Sequence, residues 1–343
     1  MKKTIRLAIT MGDPAGVGPE IIAKALTHPE AIADTQFLVI GSERALQRAA
    51  QQTGVSIDYQ TLAPGSPVQS NAKVCLLNDE SMLGESLPQA KVDPACGAAA
   101  FQWLDRAIAM ALRGEVDAIV TAPLHKEALN QAGYHYAGHT EILAEKTGTR
   151  EFSLMLLAER FRVVHVTCHV AMKDVPRLLT TQRILSTIRL FHQALSRLDG
   201  KPPRIAVCAY NPHAGEGGLF GREEIDAIQP AVAASQNEGI QAEGPFPSDS
   251  IYPQLIGGKY QGVVAMYHDQ GHIPFKLTHF GFDPKQGEWG TVTGVNVTLG
   301  LPIIRTSVDH GTAFDLTGTG RASERSLLDA IETAKQLAQN QEQ

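Results

Sequence analysis

Short apolar runs alternate with longer amphipathic segments along most of the chain. The apolar runs are rich in β-branched residues, as buried strands are, and the intervening segments keep the three-to-four-residue spacing of helices. The predicted strands are Ile5 to Thr10, Gln36 to Ile40, Ala72 to Leu77, Asp117 to Thr121, Ser153 to Leu157, Phe161 to Cys168, Arg204 to Tyr210 and Gly262 to Tyr267. The predicted helices are Pro19 to Leu26, Ser42 to Gln52, Pro94 to Arg113, Val175 to Leu198 and Arg222 to Gln236. This alternation predicts an α/β fold with a mainly parallel, doubly wound sheet.

Other stretches are predicted to be loops or a further strand. Residues 257–261 and 281–294 carry the glycines and prolines of loops. Gly294 to Ser307 is predicted to be a strand entered through a polar loop. Arg305 interrupts this apolar run, so it needs an anionic partner, either an internal one or a bound phosphate or carboxylate.

Three of the predicted strands lead into a histidine, at His169, His213 and His268. If these strands are parallel, the three imidazoles lie at carboxyl ends, where open α/β sheets bind ligands. Such a donor set is typical of a catalytic metal site with an open coordination position. The alternative is that they are core or solvated histidines, since the chain has 12 histidines and only the expected fold joins these three.

Two further segments carry candidate site residues, each with a simpler alternative. His139 and Thr140 stand at a predicted helix start. His139 can act as a general acid or base or can bind a carboxylate, and Thr140 can also bind a carboxylate. Alternatively, Thr140 caps the helix and His139 is solvated. Lys276 follows His268 by eight positions and suits a phosphate or carboxylate, although a lone lysine is usually a surface charge. We predict that the nearby His272 is a loop residue.

The string GDPAGVG, residues 12–18, follows the first strand and opens the first helix. Its backbone amides can receive an anion at a helix N-terminus. It does not match the GxGxxG dinucleotide-binding pattern, and a tight structural turn explains it equally well.

Composition limits the class of protein and its partners. A chain of 343 residues with 43% hydrophobic and 19% charged residues is long enough for two globular domains. The net charge of −6 and the lack of a basic run argue against nucleic acid or an anionic membrane as partner, and no segment is long enough to span a bilayer. The four cysteines show no paired spacing, which predicts reduced thiols in a cytoplasmic protein. Cys168 is predicted to be a small core residue.

Six strings, in chain order, resemble the 4-hydroxythreonine-4-phosphate dehydrogenase family over nearly the whole chain: GDPAGVGPE, GHTE, NPHAGEGG, MYHDQG, GVNVTLGLP and RTSVDHGTAFD. The resemblance implies a two-domain α/β fold like that of isocitrate and isopropylmalate dehydrogenases, with an interdomain cleft. It also implies a homodimer with the active site near the interface. We expect a discontinuous first domain, residues 1–125 plus 296–343, and a second domain, residues 126–295, with the metal ligands and dimer contacts.

The resemblance also assigns roles to residues. It implies one divalent ion (zinc, cobalt or magnesium) on His169, His213 and His268, whereas His165 matches no ligand and is expected in the core. The implied substrate-binding residues are His139, Thr140, Lys276, Asn296 and Arg305. His139, Lys276 and Asp249 of the string PSDS are the expected catalytic residues. By likeness to the decarboxylating dehydrogenases, His310, Gly311, Thr312 and Asp315 are expected to bind NAD or NADP.

The implied reaction is oxidation and decarboxylation of a 4-phosphorylated four-carbon hydroxy acid. The whole-chain match favours 4-hydroxythreonine 4-phosphate, which gives 3-amino-2-oxopropyl phosphate for pyridoxal phosphate synthesis. The string HIPFK instead resembles paralogues that convert D-threonate or D-erythronate 4-phosphate to dihydroxyacetone phosphate. The 278–293 loop is longer than the family's usual connection, and both segments are expected to flank the substrate pocket. Two other classes stay open: a metal-dependent hydrolase and a non-catalytic protein that binds phosphorylated metabolites.

Overall fold

The computed structural model describes residues 4–66, 71–284 and 288–340. The strands are β1 (Ile5–Thr10), β2 (Thr35–Gly41), β3 (Gln60–Leu62), β4 (Val74–Asn78), β5 (Ala118–Thr121), β6 (Ser153–Ala158), β7 (Phe161–His165), β8 (Arg204–Cys208), β9 (Gln241–Phe246), β10 (Gly262–Ala265), β11 (Phe280–Asp283), β12 (Glu288–Val292), β13 (Val295–Leu299) and β14 (Arg305–Val308). The helices are α1 (Gly18–Ala25), α2 (Pro29–Ile32), α3 (Glu43–Thr53), α4 (Pro94–Leu112), α5 (Lys126–Gln131), α6 (His139–Thr147), α7 (Val175–Leu178), α8 (Thr181–Asp199), α9 (Gln229–Asn237), α10 (Ser248–Ile256), α11 (His268–His279) and α12 (Arg325–Gln339).

The described residues form two compact units, one within Met1–Arg150 and Leu301–Gln339 and the other within Glu151–Gly300 together with Asn340. The expected division placed residues 126–150 with the second domain and residues 296–300 with the first. In the structure this segment packs on α4 of the first unit: Gly97 of α4 is so close to α5 that an added Cβ would lie 2.3 Å from the Ala128 carbonyl oxygen. The Phe101 ring of α4 also stacks on Tyr134 with 3.9 Å between centroids.

The first unit has a fully parallel sheet in the strand order β3-β4-β2-β1-β5-β14. Local sequence signals begin and end its helices. Asp93 caps α4 by accepting from the amide of Ala95 at 2.9 Å, and Pro94 is its first residue. Ser42 caps α3, which ends at the left-handed Gly54.

The second unit has a mixed sheet in the order β13-β6-β7-β10-β8-β9. The pairs β7-β10, β10-β8 and β8-β9 are parallel, whereas β13-β6 and β6-β7 are antiparallel. Its core is a cluster of strand and helix side chains that includes Phe161, Tyr252, Val263 and Phe275. The three strands that precede the candidate histidines are therefore parallel neighbours, in the order β7-β10-β8, as the sequence predicts.

The structure corrects several predicted elements. Residues 281–294, expected as a loop, include the antiparallel pair of β11 and β12, although 285–287 lie outside the described residues. The strand expected over Gly294 to Ser307 is two strands, β13 and β14, because Gly300 turns the chain with φ of 94°. His272, expected in a loop, lies inside α11.

The GDPAGVG segment is a buried structural turn rather than an open anion cradle. Met11 to Glu20 are all buried, and several of their amides donate to acceptors within the protein. The amide of Asp13 donates to the Pro123 carbonyl at 2.8 Å, and that of Val17 donates to the Thr312 carbonyl at 3.0 Å. An added Cβ on Gly18 would lie 2.2 Å from the Met11 carbonyl oxygen, which explains the glycine there.

Asp13 is a fully buried carboxyl group within this turn. Its Oδ1 accepts from the amide of Ala15 at 2.8 Å, and its Oδ2 has no hydrogen-bond partner among the described residues. Burial raises the pKa of Asp13 to about 7, and the nearby Asp93 acts in the same direction. The folded protein therefore holds this group protonated at pH values where the unfolded chain ionises it.

We expect the free energy of unfolding to decrease less with rising pH in the Asp13→Asn variant than in the wild type. Because the folded pKa exceeds the unfolded value, the stabilisation is complete below the unfolded pKa and is lost as pH rises through about 7. Between the unfolded and folded pKa values, the free energy of unfolding of the wild type falls by about 1.4 kcal/mol per pH unit because of this group. The Asp13→Asn variant should therefore have a higher urea midpoint than the wild type at pH 8 and a similar one at pH 4. Equal pH dependence of the two midpoints would contradict this assignment.

In the described part of the chain, none of the helices combines the length and the hydrophobicity that a membrane span requires. The four cysteines are free thiols, as the sequence predicts. Cys168 is half-buried beyond the end of β7, so the strand alternation that predicted a core position does not reach it.

Candidate active site

The three candidate metal ligands all follow parallel strands of the second unit. His169 follows β7, and His268 is the first residue of α11 after β10. His213 lies after β8 in a short turn, Pro212–Gly218. His169 and His213 have φ of 46° and 51°, a conformation that costs free energy for residues other than glycine and is concentrated at functional sites.

His169 and His268 lie together at a pocket of about 240 Å³. Their ring centroids are 5.7 Å apart with 43° between the planes. The pocket is lined by Thr167, Cys168, His169, Val170, Met172, Val175, Tyr267, His268 and Asp269. Two imidazoles that each bind through a nitrogen about 2.0–2.1 Å from one ion have centroids at roughly this separation. The separation of the two rings is therefore compatible with two ligands of a shared divalent ion.

Asp269 supplies the hydrogen bond that metal-binding histidines usually make through their other ring nitrogen. Nδ1 of His268 lies 2.7 Å from Oδ1 of Asp269. A proton on Nδ1 leaves the Nε2 lone pair available to a metal and fixes the tautomer of the ring. This contact is a second, independent feature of a metal ligand.

His213 is not brought into this pair. It is exposed, and its ring lies 6.4 Å from that of Phe220. No group of three histidine, cysteine or acidic side chains with the spacing of a metal site occurs among the described residues. The turn that carries His213 is left-handed throughout, with positive φ from His213 to Gly217, and this geometry sets the direction in which its side chain leaves the backbone.

Glu224 holds the turn of His213, and the sequence analysis missed it. This carboxylate is 1% exposed. Its Oε1 accepts from the amides of Tyr210 and Asn211 at 2.8 and 2.7 Å, and its Oε2 accepts from Asn211 Nδ2 at 2.9 Å. Gly215 lets the turn approach, since an added Cβ would lie 2.7 Å from Oε2. The detectable signal was an acid inside an otherwise amphipathic segment, here the π-helical Glu224–Ile228.

We expect Glu224→Gln to destabilise the protein by about 2 kcal/mol, because it replaces a carboxylate that accepts several charge-assisted hydrogen bonds. The amide nitrogen introduced by this substitution would also face the donor Nδ2 of Asn211. Urea unfolding measures the change. The matched control is Asp226→Asn on the same segment, whose exposed pair with Arg222 should contribute less than about 1 kcal/mol. Equal effects of the two substitutions would refute the anchoring role.

Three other predicted residues also lie in the second unit. Lys276 is exposed on α11, with Nζ 5.2 Å from the Phe280 ring centroid, and stands about 12 Å along the helix axis from His268. Asn296 is half-buried on β13, in register with Leu156 of β6. Asp249 is exposed in the first turn of α10, and it is not among the residues that line the pocket.

The first unit carries His139, Thr140 and Arg305. Burial lowers the pKa of His139 well below its usual value, and the Arg305 cation acts in the same direction, so the imidazole is neutral at neutral pH. Arg305 is 3% exposed and donates from a terminal nitrogen to Thr121 Oγ1 at 2.7 Å. Burial lowers the pKa of Arg305, and Glu141 opposes this effect. Gly138, not Thr140, precedes α6 as its cap, so the capping alternative for Thr140 is wrong.

The expected cofactor segment lies after β14 in the first unit. Thr312 is buried, and its carbonyl accepts from Val17. His310 Nδ1 donates to the Gly311 carbonyl at 2.9 Å, and burial lowers the pKa of His310. Asp315 is exposed. The GDPAGVG turn therefore contacts this segment through the hydrogen bond between Val17 and Thr312.

The fold and the site define an α/β protein with a mainly parallel sheet and a histidine-lined pocket beyond the carboxyl ends of its strands. Comparison with known proteins gives the family. Residues 33–334 match the family described as pyridoxal phosphate biosynthetic protein PdxA, and the chain belongs to this family.

Individual relatives carry two different names. The chain is 48% identical to a 4-hydroxythreonine-4-phosphate dehydrogenase from Geobacter metallireducens, and the alignment covers 97% of this chain and 95% of that protein. It is 45% identical to a D-threonate 4-phosphate dehydrogenase from Cupriavidus necator, with 97% of each covered. A crystal structure of 4-hydroxythreonine-4-phosphate dehydrogenase from Klebsiella pneumoniae matches with a TM-score of 0.80 and 40% identity, covering 97% of this chain and 99% of that one. The predicted family is confirmed, and both predicted substrate classes occur among its relatives.

Proposed function

We propose that the chain is an NAD- or NADP-dependent dehydrogenase that oxidises and decarboxylates a 4-phosphorylated four-carbon hydroxy acid. The observation that carries the proposal is the pairing of His169 with His268 beside Asp269 at the ends of parallel strands, in a chain whose relatives are dehydrogenases. In the net reaction the C3 hydrogen leaves as hydride to the nicotinamide and the hydroxyl gives up its proton. The resulting β-keto acid then loses carbon dioxide, and C2 takes up a proton where the carboxylate was.

His169 and His268 would hold one divalent ion, and His213, which the structure does not bring to this pair, is the third ligand that the resemblance implies. Imidazole suits zinc and cobalt, and magnesium is the other candidate from the resemblance. Bound there, the ion would supply Lewis acidity toward the oxygen at C3. Asp269 holds the His268 ring in one tautomer, and Glu224 holds the turn of His213.

The remaining candidates bind and orient the substrate. Arg305 and Lys276 are the proposed partners for the phosphate and carboxylate, with Thr140 and Asn296 as polar neighbours. His139 is neutral, so it offers a hydrogen bond to a substrate oxygen without adding a positive charge. Asp249 is the proposed acid, and His310, Gly311, Thr312 and Asp315 are the proposed cofactor-binding residues.

Exposed apolar side chains near all three histidines support a homodimer with the site near its interface. Large exposed patches of this kind mark interaction surfaces. The residues and their exposed fractions are Val170 (40%), Met172 (54%), Leu219 (76%), Phe220 (50%), Ile273 (63%) and Leu277 (82%). Two follow each histidine in sequence, and Val170 and Met172 also line the pocket, so the segments after the three histidines are the proposed dimer contacts.

We propose that the substrate carries a hydroxyl rather than an amino group at C2. An ammonium group at C2 needs an acidic neighbour. Asp269 is the carboxylate among the pocket-lining residues, and it already pairs with His268. D-threonate or D-erythronate 4-phosphate is therefore our first candidate, and 4-hydroxythreonine 4-phosphate is the second because relatives of comparable identity carry that name.

The deciding experiment measures NADH formation by the metal-loaded protein with the three 4-phosphorylated acids. We expect kcat/KM for a 2-hydroxy substrate to exceed that for 4-hydroxythreonine 4-phosphate at least tenfold, about 1.4 kcal/mol of differential transition-state binding. A tenfold preference for the amino substrate would reverse the order. Metal-dependent ester cleavage without NADH, or binding without turnover, would instead support the hydrolase or the non-catalytic alternative.

A further inference from the structure

The helix α11 carries a second imidazole one turn after His268. The ring centroids of His268 and His272 lie 3.6 Å apart, with 11° between the ring planes. This is a face-to-face stack between residues four apart, which share one face of a helix. His272 is 8% exposed, so its ring is enclosed by protein.

His272 is itself held in place from two sides. Its Nδ1 donates to the His268 carbonyl oxygen at 3.0 Å. Its ring lies 4.6 Å from the ring of His165, whose Nδ1 donates to the Leu154 carbonyl at 3.3 Å. The stacked rings are therefore connected to β7 and β6 of the sheet.

Gly271 makes this arrangement possible. A Cβ added there would lie 2.3 Å from His165 Nε2 and 2.9 Å from a methyl carbon of Val163. Any larger residue would push α11 away from β7 and separate the imidazoles. The string GH at 271–272 thus brings the helix close to the sheet at the point where the helix presents His268.

We infer that His272 is a positioning residue for the metal ligand His268, an inference that rests on the proposed function. Asp269 fixes one edge of the His268 ring through Nδ1, and His272 covers one face of the same ring. A ring restrained at an edge and a face has few orientations left, so binding a metal orders it at less cost. The flatness of the His272 ring is the property that matters.

The test is Co²⁺ binding to the metal-free, full-length protein, followed by calorimetry and by the visible absorption of the bound ion. His272→Ala and His272→Leu should weaken Co²⁺ binding about 10- to 100-fold and change the spectrum, the range found when outer partners of metal ligands are removed. His272→Phe keeps a flat ring of similar size and should bind Co²⁺ about as tightly as the wild type. Circular dichroism checks that each variant is folded.

The matched control is His279→Ala on the same helix. Nδ1 of His279 donates to the Phe275 carbonyl at 3.0 Å, the same backbone bond that His272 makes, but its ring packs on Phe275 and Phe161 instead of His268. Its Co²⁺ affinity should be unchanged. Wild-type Co²⁺ affinity and spectrum in His272→Ala would overturn the positioning role alone. The same conclusion would follow if His272→Leu and His272→Phe bound Co²⁺ equally well. Co²⁺ binding that does not depend on His268 would overturn the proposed metal site and this inference together.

Discussion

Replacing His169, His213 or His268 with alanine is expected to reduce kcat/KM by at least about 10³-fold, or about 4 kcal/mol of transition-state stabilisation. The three side chains are exposed or half-buried, so they contribute little to the core. Alanine retains the same backbone strain at the positive φ of His169 and His213. Activity should therefore fall while the urea midpoint stays close to that of the wild type.

Steady-state NADH formation and metal content, both measured after chelator treatment and reloading, check this expectation. His135→Ala is the control, because His135 is an exposed imidazole whose contact is with Asn130 in the first unit. Full activity in any one of the three variants would remove that residue from the ligand set. Loss of metal from His169→Ala and His268→Ala but not from His213→Ala would restrict the site to the observed pair.

The positions of the three histidines could be predicted because strand ends are a local signal. β-branched runs that end in a histidine mark the strand, and the parallel alternation places their carboxyl ends on one edge. The contact between His169 and His268 follows from this rule, since β7 and β10 are adjacent. Whether His213 joins them depends on the direction of a left-handed turn, and no periodicity encodes that direction.

The helix α11 could not be predicted because a distant residue compensates for its weakest position. Pro274 lies inside the helix and cannot donate to the carbonyl of Gln270. That carbonyl instead accepts from the Tyr252 hydroxyl of α10 at 2.6 Å. A sequence window around Gly271 and Pro274 therefore indicates a loop, while the tertiary contact restores the hydrogen bond that a helix requires.

Glu224 illustrates the same limit at the level of the site. Its partners Asn211 and Tyr210 are 13 and 14 positions away, and the contact exists only because the chain doubles back after β8. Buried carboxylates are rare unless they are well bonded. The burial and bonding of Glu224 become visible only in three dimensions, whereas its sequence neighbours Glu223 and Asp226 are common surface acids.

Removing the phosphate from the substrate is expected to lower kcat/KM by at least about 10²-fold. Charge-assisted hydrogen bonds contribute about 1.5–3 kcal/mol each, and a phosphate accepts several of them. The buried Arg305 presents a planar fork that suits bidentate recognition, whereas the exposed Lys276 acts as a point charge. We therefore expect each residue to contribute to anion binding, with Arg305 more sensitive to conservative replacement.

The ratio of kcat/KM for the phosphorylated substrate to that for the bare one identifies which residue binds the phosphate. We expect this ratio to fall about tenfold or more in whichever of Arg305→Lys and Lys276→Ala changes the residue that binds the phosphate. The ratio should stay constant in the variant of the residue that binds the carboxylate, because that variant loses no bond to the phosphate. Lys259→Ala is the matched control, since its Nζ also lies 5.2 Å from an aromatic ring centroid, that of Tyr260. If both variants keep the wild-type ratio, neither Arg305 nor Lys276 binds the phosphate, and the anion must be held elsewhere in the chain or by a second copy.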